Sequence, residues 1–260
     1  MPSRRPRRND PLSAALGYFR DLGIRELHLA APPATGAPAS ARPGAVSDEG
    51  VAVPSSRPAS AKSPAVPGLP DLDALRATVA ACERCGLCRT RTQTVFADGT
   101  GRSRIMFVGE APGADEDATG VPFVGRAGQL LTKMIGAMGL DRADVYIANV
   151  LKCRPPGNRN PEPAEIAACR PYLEAQIEVV KPAVLVAMGK FAAQFLLETE
   201  EPITRLRGRW GTRQGIAVMP TFHPSFLLRQ PERKKEAWED LQQVLRKLGL
   251  PVPGRKETGP

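Results

Sequence analysis

Arg104-Ile105-Met106-Phe107-Val108-Gly109-Glu110-Ala111-Pro112-Gly113 is a short apolar run that stops abruptly at a glycine, an acid and a proline. A continuous apolar stretch of this length, closed by turn residues, reads as a strand buried on both faces. The run Ile105–Val108 therefore predicts the first strand of a sheet covered on both sides. Downstream, the apolar positions Leu130, Leu131, Met134, Ile135 and Met138 recur at helical spacing and predict a helix over Ala127–Met138. Val145–Val150 reads as a second strand. Pro163–Val180 reads as a helix opened by proline and acids, as helix N-termini prefer.

Ala183–Met188 is a third strand closed by Gly189, followed by a short helix over Lys190–Leu197. Ile216–Phe222 is a fourth strand, and Glu232–Leu248 a final helix. Strands that alternate with helices imply an α/β fold, a mostly parallel sheet with helices on both faces. The expected architecture is a three-layer α/β/α domain around a central four-stranded, mostly parallel sheet, spanning residues 71–250.

Glu110, Asn149, Gly189 and His223 each lie at or just after the end of a predicted strand. In open parallel sheets the carboxyl ends of the strands form the ligand crevice. An acid, an amide, a glycine turn and an imidazole delivered to one edge predict an active site there.

Outside that domain the chain changes character. Residues 1–30 form a basic tail in which Leu12, Leu16, Phe19, Leu22, Leu27 and Leu29 are spaced partly as in an amphipathic helix. Residues 31–70 hold nine prolines and ten alanines and little that can build a core, so they read as a disordered linker. Residues 251–260 are a C-terminal tail. An apolar stretch (residues 11–30) on a long tether suits docking of a replication or repair protein.

The formal charge of +9, with a pI of about 9.7, favours a polyanionic partner. Residues 1–70 hold nine Lys/Arg against five Asp/Glu, so just over half of the excess lies in the rest of the chain. No run of 18 apolar residues predicts a membrane span, and the basic N-terminus has no apolar segment after it to make a secretory signal. A cytoplasmic protein, associated with the nucleoid in a prokaryote, is expected.

The five cysteines do not suggest a disulfide scaffold; a reducing compartment and a metal centre fit better. Cys82 and Cys85 make a C-x2-C, Cys153 and Cys169 a C-x15-C, and 67 residues separate the pairs. Four thiolates suit zinc and iron–sulfur clusters alike. Structural zinc more often uses two C-x2–4-C knuckles, so the wide second pair favours a cluster. Cys88 makes a further C-x2-C with Cys85, and spacing alone leaves the register among Cys82, Cys85 and Cys88 open.

The turn Gly109–Asp117 lacks G-x-x-x-x-G-K-[ST] and is acidic, which argues against phosphate cradling. Asp115 and Asp117 read as a solvated acidic turn. Glu110, at the strand end, is the better functional candidate. His223, one of two histidines, ends a strand immediately before Pro224. The following Phe226-Leu227-Leu228-Arg229 reads as an apolar tip beside a base, the pattern of minor-groove wedges, against the alternative that these leucines pack inward. His28 is assigned nothing.

Gly109-Glu110-Ala111-Pro112-Gly113, Pro122-Phe123-Val124-Gly125, Tyr146-Ile147-Ala148-Asn149-Val150-Leu151-Lys152-Cys153-Arg154-Pro155-Pro156 and His223-Pro224-Ser225, taken together, resemble the family 4, iron–sulfur, uracil-DNA glycosylases. The resemblance covers roughly residues 75–250 and extends to Ile203-Thr204-Arg205-Leu206-Arg207-Gly208. It implies a monomeric enzyme that flips uracil out of single- or double-stranded DNA and hydrolyses the N-glycosidic bond, leaving an abasic site. It implies a structural 4Fe-4S cluster on Cys82, Cys85, Cys153 and Cys169, with Cys88 left over.

By the same resemblance Glu110 and His223 are catalytic, and Gly109, Ala111, Glu116, Phe123 and Asn149 bind the base. Phe123 would stack on it, Asn149 would read its edge and Glu116 would fill the space beside C5. Ser225, Leu227 and Arg229 would contact DNA. Other branches of the superfamily carry an Asp where Ala111 stands, so water activation at that position has no acid here. Residues 202–209 hold no histidine, which sets the chain apart from the cousins that bond covalently to uracil-containing DNA. A non-catalytic DNA- or partner-binding module on the same fold is the rival reading.

Overall fold

A computed structural model describes residues 71–253. The expectations for the basic tail, the linker, the 11–30 segment and most of the C-terminal tail fall outside the described residues. Helix α1 (Leu72–Ala80) leads into a 3-10 turn at Gly86–Arg89 and then β1 (Ile105–Gly109). Next come α2 (Ala114–Thr119), α3 (Arg126–Ala137), β2 (Tyr146–Asn149), α4 (Pro163–Val180), β3 (Val184–Met188) and α5 (Lys190–Leu197). The chain continues through α6 (Ile203–Leu206), β4 (Gly211–Arg213), β5 (Ile216–Thr221), α7 (Pro224–Arg229) and α8 (Lys234–Lys247).

The strands run in the order β2-β1-β3-β5-β4. The first four are parallel neighbours, and β4 pairs antiparallel with β5 at the edge. The sheet thus has five strands and not the four expected. The extra strand, Gly211-Thr212-Arg213, is three residues long, too short to show a period of two, and only Arg213 in it is buried. An antiparallel edge strand on a parallel sheet is common.

The two faces are read off alternate strand residues. Ile105, Phe107, Ile147, Val184, Val186 and Met219 point to one face, where they pack with Leu131, Met134 and Ile135 of α3 and Leu241 and Leu245 of α8. Met106, Val108, Ala148, Leu185, Ala187 and Val218 point to the other, against α1, α4 and α5. Both faces are covered, which gives the three-layer α/β/α arrangement.

Asp117 corrects the reading of its turn as solvated. It lies on α2, is buried, and both of its carboxylate oxygens accept from the Thr92 amide at 3.0 and 3.1 Å. A run of neighbouring acids carries no signal of which one turns inward.

Candidate active site

The four strand-end residues meet. A cavity of about 680 Å³ is lined by Glu110 after β1, Asn149 at the end of β2, Gly189 after β3 and His223 after β5, together with Phe123 and Glu116. Asn149 is 2% exposed, and its Oδ1 is the one buried side-chain oxygen or nitrogen among the described residues that lacks a hydrogen-bond partner. A buried acceptor left unpaired costs about 1–3 kcal/mol, so it marks where a ligand donor belongs.

Gly109 pairs with Asn149 across the β1–β2 ladder. A Cβ at Gly109 would lie 2.5 Å from Phe123 Cζ and would overlap Asn149 Oδ1. Only glycine lets amide and ring approach across that strand end.

Phe123 has φ 54°, a left-handed conformation that a bulky residue adopts only under constraint. The constraint is visible. Glu116 Oε1 accepts from the Val124 and Gly125 amides at 2.9 and 3.0 Å, while its Oε2 accepts from Gly113 N at 3.0 Å. Arg142 donates to Pro122 O at 2.7 Å, to Thr132 Oγ1 of α3 at 3.0 Å and to Asp98 Oδ2 at 2.9 Å. Glu116 thus stands at the cavity with both oxygens committed to the loops that carry the Phe123 ring.

His223 caps α7. The Ser225 amide donates to His223 Nδ1 at 3.1 Å, and Ser225 Oγ lies 2.8 Å from the same nitrogen. An amide can only donate, so Nδ1 is the acceptor and the proton sits on Nε2. Burial pushes the imidazole down to about 4, with Arg229 lowering it further and Glu116 opposing. The residue as a whole is half-buried, but the ring is enclosed beside Phe123, 5.6 Å between centroids. A neutral ring with Nε2–H as its donor follows. Burial raises the Glu110 carboxyl, and Lys190 opposes that rise.

The expected DNA contacts divide. Leu227 is 0% exposed and packs in the core with Trp238 and Leu241, so it is no wedge. One turn of helix after Pro224 sends it inward, and the sequence, apolar at 226–228 throughout, could not show which side chain that would be. Ser225 lines the cavity but spends its amide and hydroxyl on His223. Arg229 lies at the rim, and so do Arg126, Arg159 and Lys190, which sequence reasoning did not single out.

Residues 96–242 match the model of the uracil DNA glycosylase superfamily. The chain belongs to the uracil-DNA glycosylase superfamily. It is similar to a type-4 uracil-DNA glycosylase of Archaeoglobus fulgidus, 43% identical over 66% of this chain and 91% of that protein. A type-4 uracil-DNA glycosylase of Thermotoga maritima is 48% identical over 63% of this chain and 87% of its own length. A type-5 uracil-DNA glycosylase of Pyrobaculum aerophilum is 34% identical over 47% of this chain and 62% of its own length. The type-4 members of the superfamily are thus matched more fully than this type-5 one, in keeping with Glu110 following Gly109.

This superfamily member carries a second, smaller cavity lined by Cys82, Cys85, Cys88, Cys153 and Cys169. Cys153 and Cys169 are buried and the other three half-buried. N–H groups converge on the sulfurs: Arg84 N on Cys82 Sγ at 3.5 Å, Arg91 on Cys153 Sγ at 3.4 Å and Lys152 N on Cys169 Sγ at 3.3 Å. Burial pushes the Cys169 thiol up to about 11 and the Cys153 thiol upward as well.

Among the described residues no three Cys, His, Asp or Glu side chains are placed to hold a single metal ion. Five cysteine sulfurs lining one cavity are a soft donor set of the kind that holds an iron–sulfur cluster or zinc. Cys88 lines the same cavity, and Cys82, Cys85, Cys153 and Cys169 are the set that the type-4 pattern implies. Lys152, fully buried between the two cavities, and Arg142 are further residues that sequence reasoning missed. A lysine inside Val150-Leu151-Lys152-Cys153 was the available signal.

Proposed function

We propose that this protein excises uracil from DNA, hydrolysing the N-glycosidic bond to leave an abasic site. The observation that carries the reading is the unpaired, buried Asn149 Oδ1, set opposite a neutral His223 donor and beside the Phe123 ring in one cavity. Uracil supplies the N3–H that Asn149 Oδ1 lacks, and its O4 suits the amide nitrogen. Cytosine presents an acceptor at N3 and an amino group at C4, so the same amide mismatches it.

A base inside a duplex is out of reach, so the nucleotide is flipped into the cavity at a cost of a few kcal/mol. Phe123 stacks on it, and Glu116 adds bulk beside C5 that a thymine methyl would meet. As the glycosidic bond breaks, its electron pair leaves with the base and negative charge develops on uracil O2. His223 Nε2–H donates there in oxyanion-hole fashion, worth roughly 10²–10³ in rate. Water adds to the cationic sugar carbon, and its proton passes to Glu110 or onward to the leaving base. Burial of the Glu110 carboxyl suits it to that role.

Cys82, Cys85, Cys153 and Cys169 would hold a 4Fe-4S cluster, which supplies a rigid brace between the segment after α1, the β2–α4 segment and α4 itself. Arg126, Lys190 and Arg229 at the cavity rim would take phosphates of single- or double-stranded DNA, whereas Arg159 is held by both Glu165 oxygens. The enzyme acts as a monomer where the DNA is, in the cytoplasm and on the nucleoid of a prokaryote; residues 11–30 would dock a replication or repair protein. No helix among the described residues is long and apolar enough to cross a membrane.

The test is incubation with a single-uracil oligonucleotide followed by alkali. Strand cleavage at the uracil, absent with Asn149→Ala, supports excision. Tight binding with no alkali-labile site would favour the rival, a DNA-binding module.

A further inference from the structure

Lys152 is 1% exposed, among the largest fully buried side chains of the domain. A buried ammonium group is costly unless hydrogen-bonded, and here two of its three N–H groups have acceptors. Nζ donates to the Asn149 backbone carbonyl at 2.7 Å and to Gln176 Oε1 at 2.6 Å. Gln176, itself 0% exposed, donates onward from Nε2 to Phe96 O at 3.1 Å and Tyr146 Oη at 3.2 Å.

The rest of Lys152 faces the other cavity. Its backbone amide donates to Cys169 Sγ at 3.3 Å, its carbonyl accepts from Val95 N at 2.8 Å, and the next residue is Cys153. One residue therefore grips the strand end that carries Asn149 and, with its own backbone, the cysteine of α4. Asn149 Oδ1 has no hydrogen-bond partner to steady it. Its aim depends on where its backbone is held, and Lys152 Nζ holds that backbone through a charge-assisted bond.

We propose that Lys152 is the positioning residue for Asn149, and that through it the base-reading amide and the cysteine-bearing segments are held as one unit. This rests on the uracil reading of the cavity. It places a purpose on the cysteine centre that involves no chemistry at the metal: the segments it braces set the aim of the amide. Lys152 touches no substrate; it acts through Asn149 alone.

A double-mutant cycle tests it, with two readouts on the iron-loaded protein. One is binding to a duplex carrying a 2′-fluorinated deoxyuridine, which resists hydrolysis; the other is iron bound per chain. Lys152→Met keeps the length and apolar stem. It should retain the wild-type iron content but weaken uracil binding about tenfold, in line with loss of a charge-assisted hydrogen bond. In the Asn149→Ala background the same substitution should have no further effect, because the residue it positions is gone. A purely structural lysine would instead weaken binding by the same factor in both backgrounds, or leave it unchanged in both; either result overturns the proposal.

If Lys152→Met does not yield folded protein, Gln176→Leu removes the second Nζ acceptor, and its cycle with Asn149→Ala is read in the same way. Wild-type protein that binds the fluorinated uracil duplex no better than its thymine counterpart would overturn the uracil reading and this inference with it. A wild type that binds while the cycle shows no coupling would overturn this inference alone.

Discussion

The Ser225 backbone N–H donates to His223 Nδ1 across 3.1 Å, and that contact decides which ring nitrogen carries the proton. With Nδ1 occupied as an acceptor, Nε2–H is the only donor the neutral ring can offer. The catalytic part assigned to His223 thus depends on a helix cap as much as on the imidazole.

His223→Ala should lower the single-turnover rate of uracil release by roughly 10²–10³. Because the enclosed ring sits at about 4, the rate should show no inflection near 6.5 from this residue and should fall only as pH approaches 4. The sign for stability follows from the same depression. The unfolded chain takes up a proton near 6.5 while the folded ring resists it to about 4, so stability present above 6.5 is lost between those values, by about 3 kcal/mol at most. Thermal melts of wild type and His223→Gln at pH 7 and pH 5 check this; the wild type should lose more Tm on acidification.

Gly109→Ala puts a methyl group where the Asn149 amide oxygen and the Phe123 ring already stand. Overpacking of this kind costs about 1–3 kcal/mol in stability. The effect on uracil release should be larger, about 10²-fold, since both base-contacting side chains must move. Rate and melt measured on one preparation separate the two effects.

Much of this fold is legible in the chain. Ile105–Val108 and Ala183–Met188 announce buried parallel strands, and the turn residues after them place Glu110 and Gly189 at the same sheet edge. The shortness of β4 hides it, and the sheet is one strand wider than expected. The wedge reading of Leu227 fails because an apolar run of three gives no phase over a six-residue helix, whereas the packing of α7 against α3 and the core beside it fixes that phase. Asp117, Arg142 and Lys152 are hidden for one shared reason. Each is a charged residue with a partner distant in sequence, Thr92 N for Asp117, Asp98 Oδ2 for Arg142 and Gln176 Oε1 for Lys152, and no local pattern names that partner.

Glu116→Gln removes one of the two oxygens that hold Gly113, Val124 and Gly125. Charge-assisted bonds of this sort are worth about 1.5–3 kcal/mol, so a lower Tm and a relaxed Phe123 loop are expected. The loop should show it as increased cutting by a protease near residues 119–125. Arg142→Met, which frees Pro122 O from the other side, should do the same.

Cys169→Ala should yield colourless protein without acid-labile sulfide, in contrast to a yellow-brown wild type. Its Tm should fall, because a metal centre that binds only the folded state stabilises it by mass action. Zinc in the wild type, with neither iron nor sulfide, would contradict the cluster assignment.

The most direct measurement is the identity of the released base. Oligonucleotides that differ only in carrying uracil, thymine or cytosine at one position are incubated with excess iron-loaded protein, and free base and abasic strand are quantified together by mass spectrometry. Uracil and an abasic strand in equal amounts, with neither thymine nor cytosine released, is the predicted result. Release of no base from the uracil strand, or of cytosine as readily as uracil, would contradict the assignment of Asn149 and His223 to uracil excision.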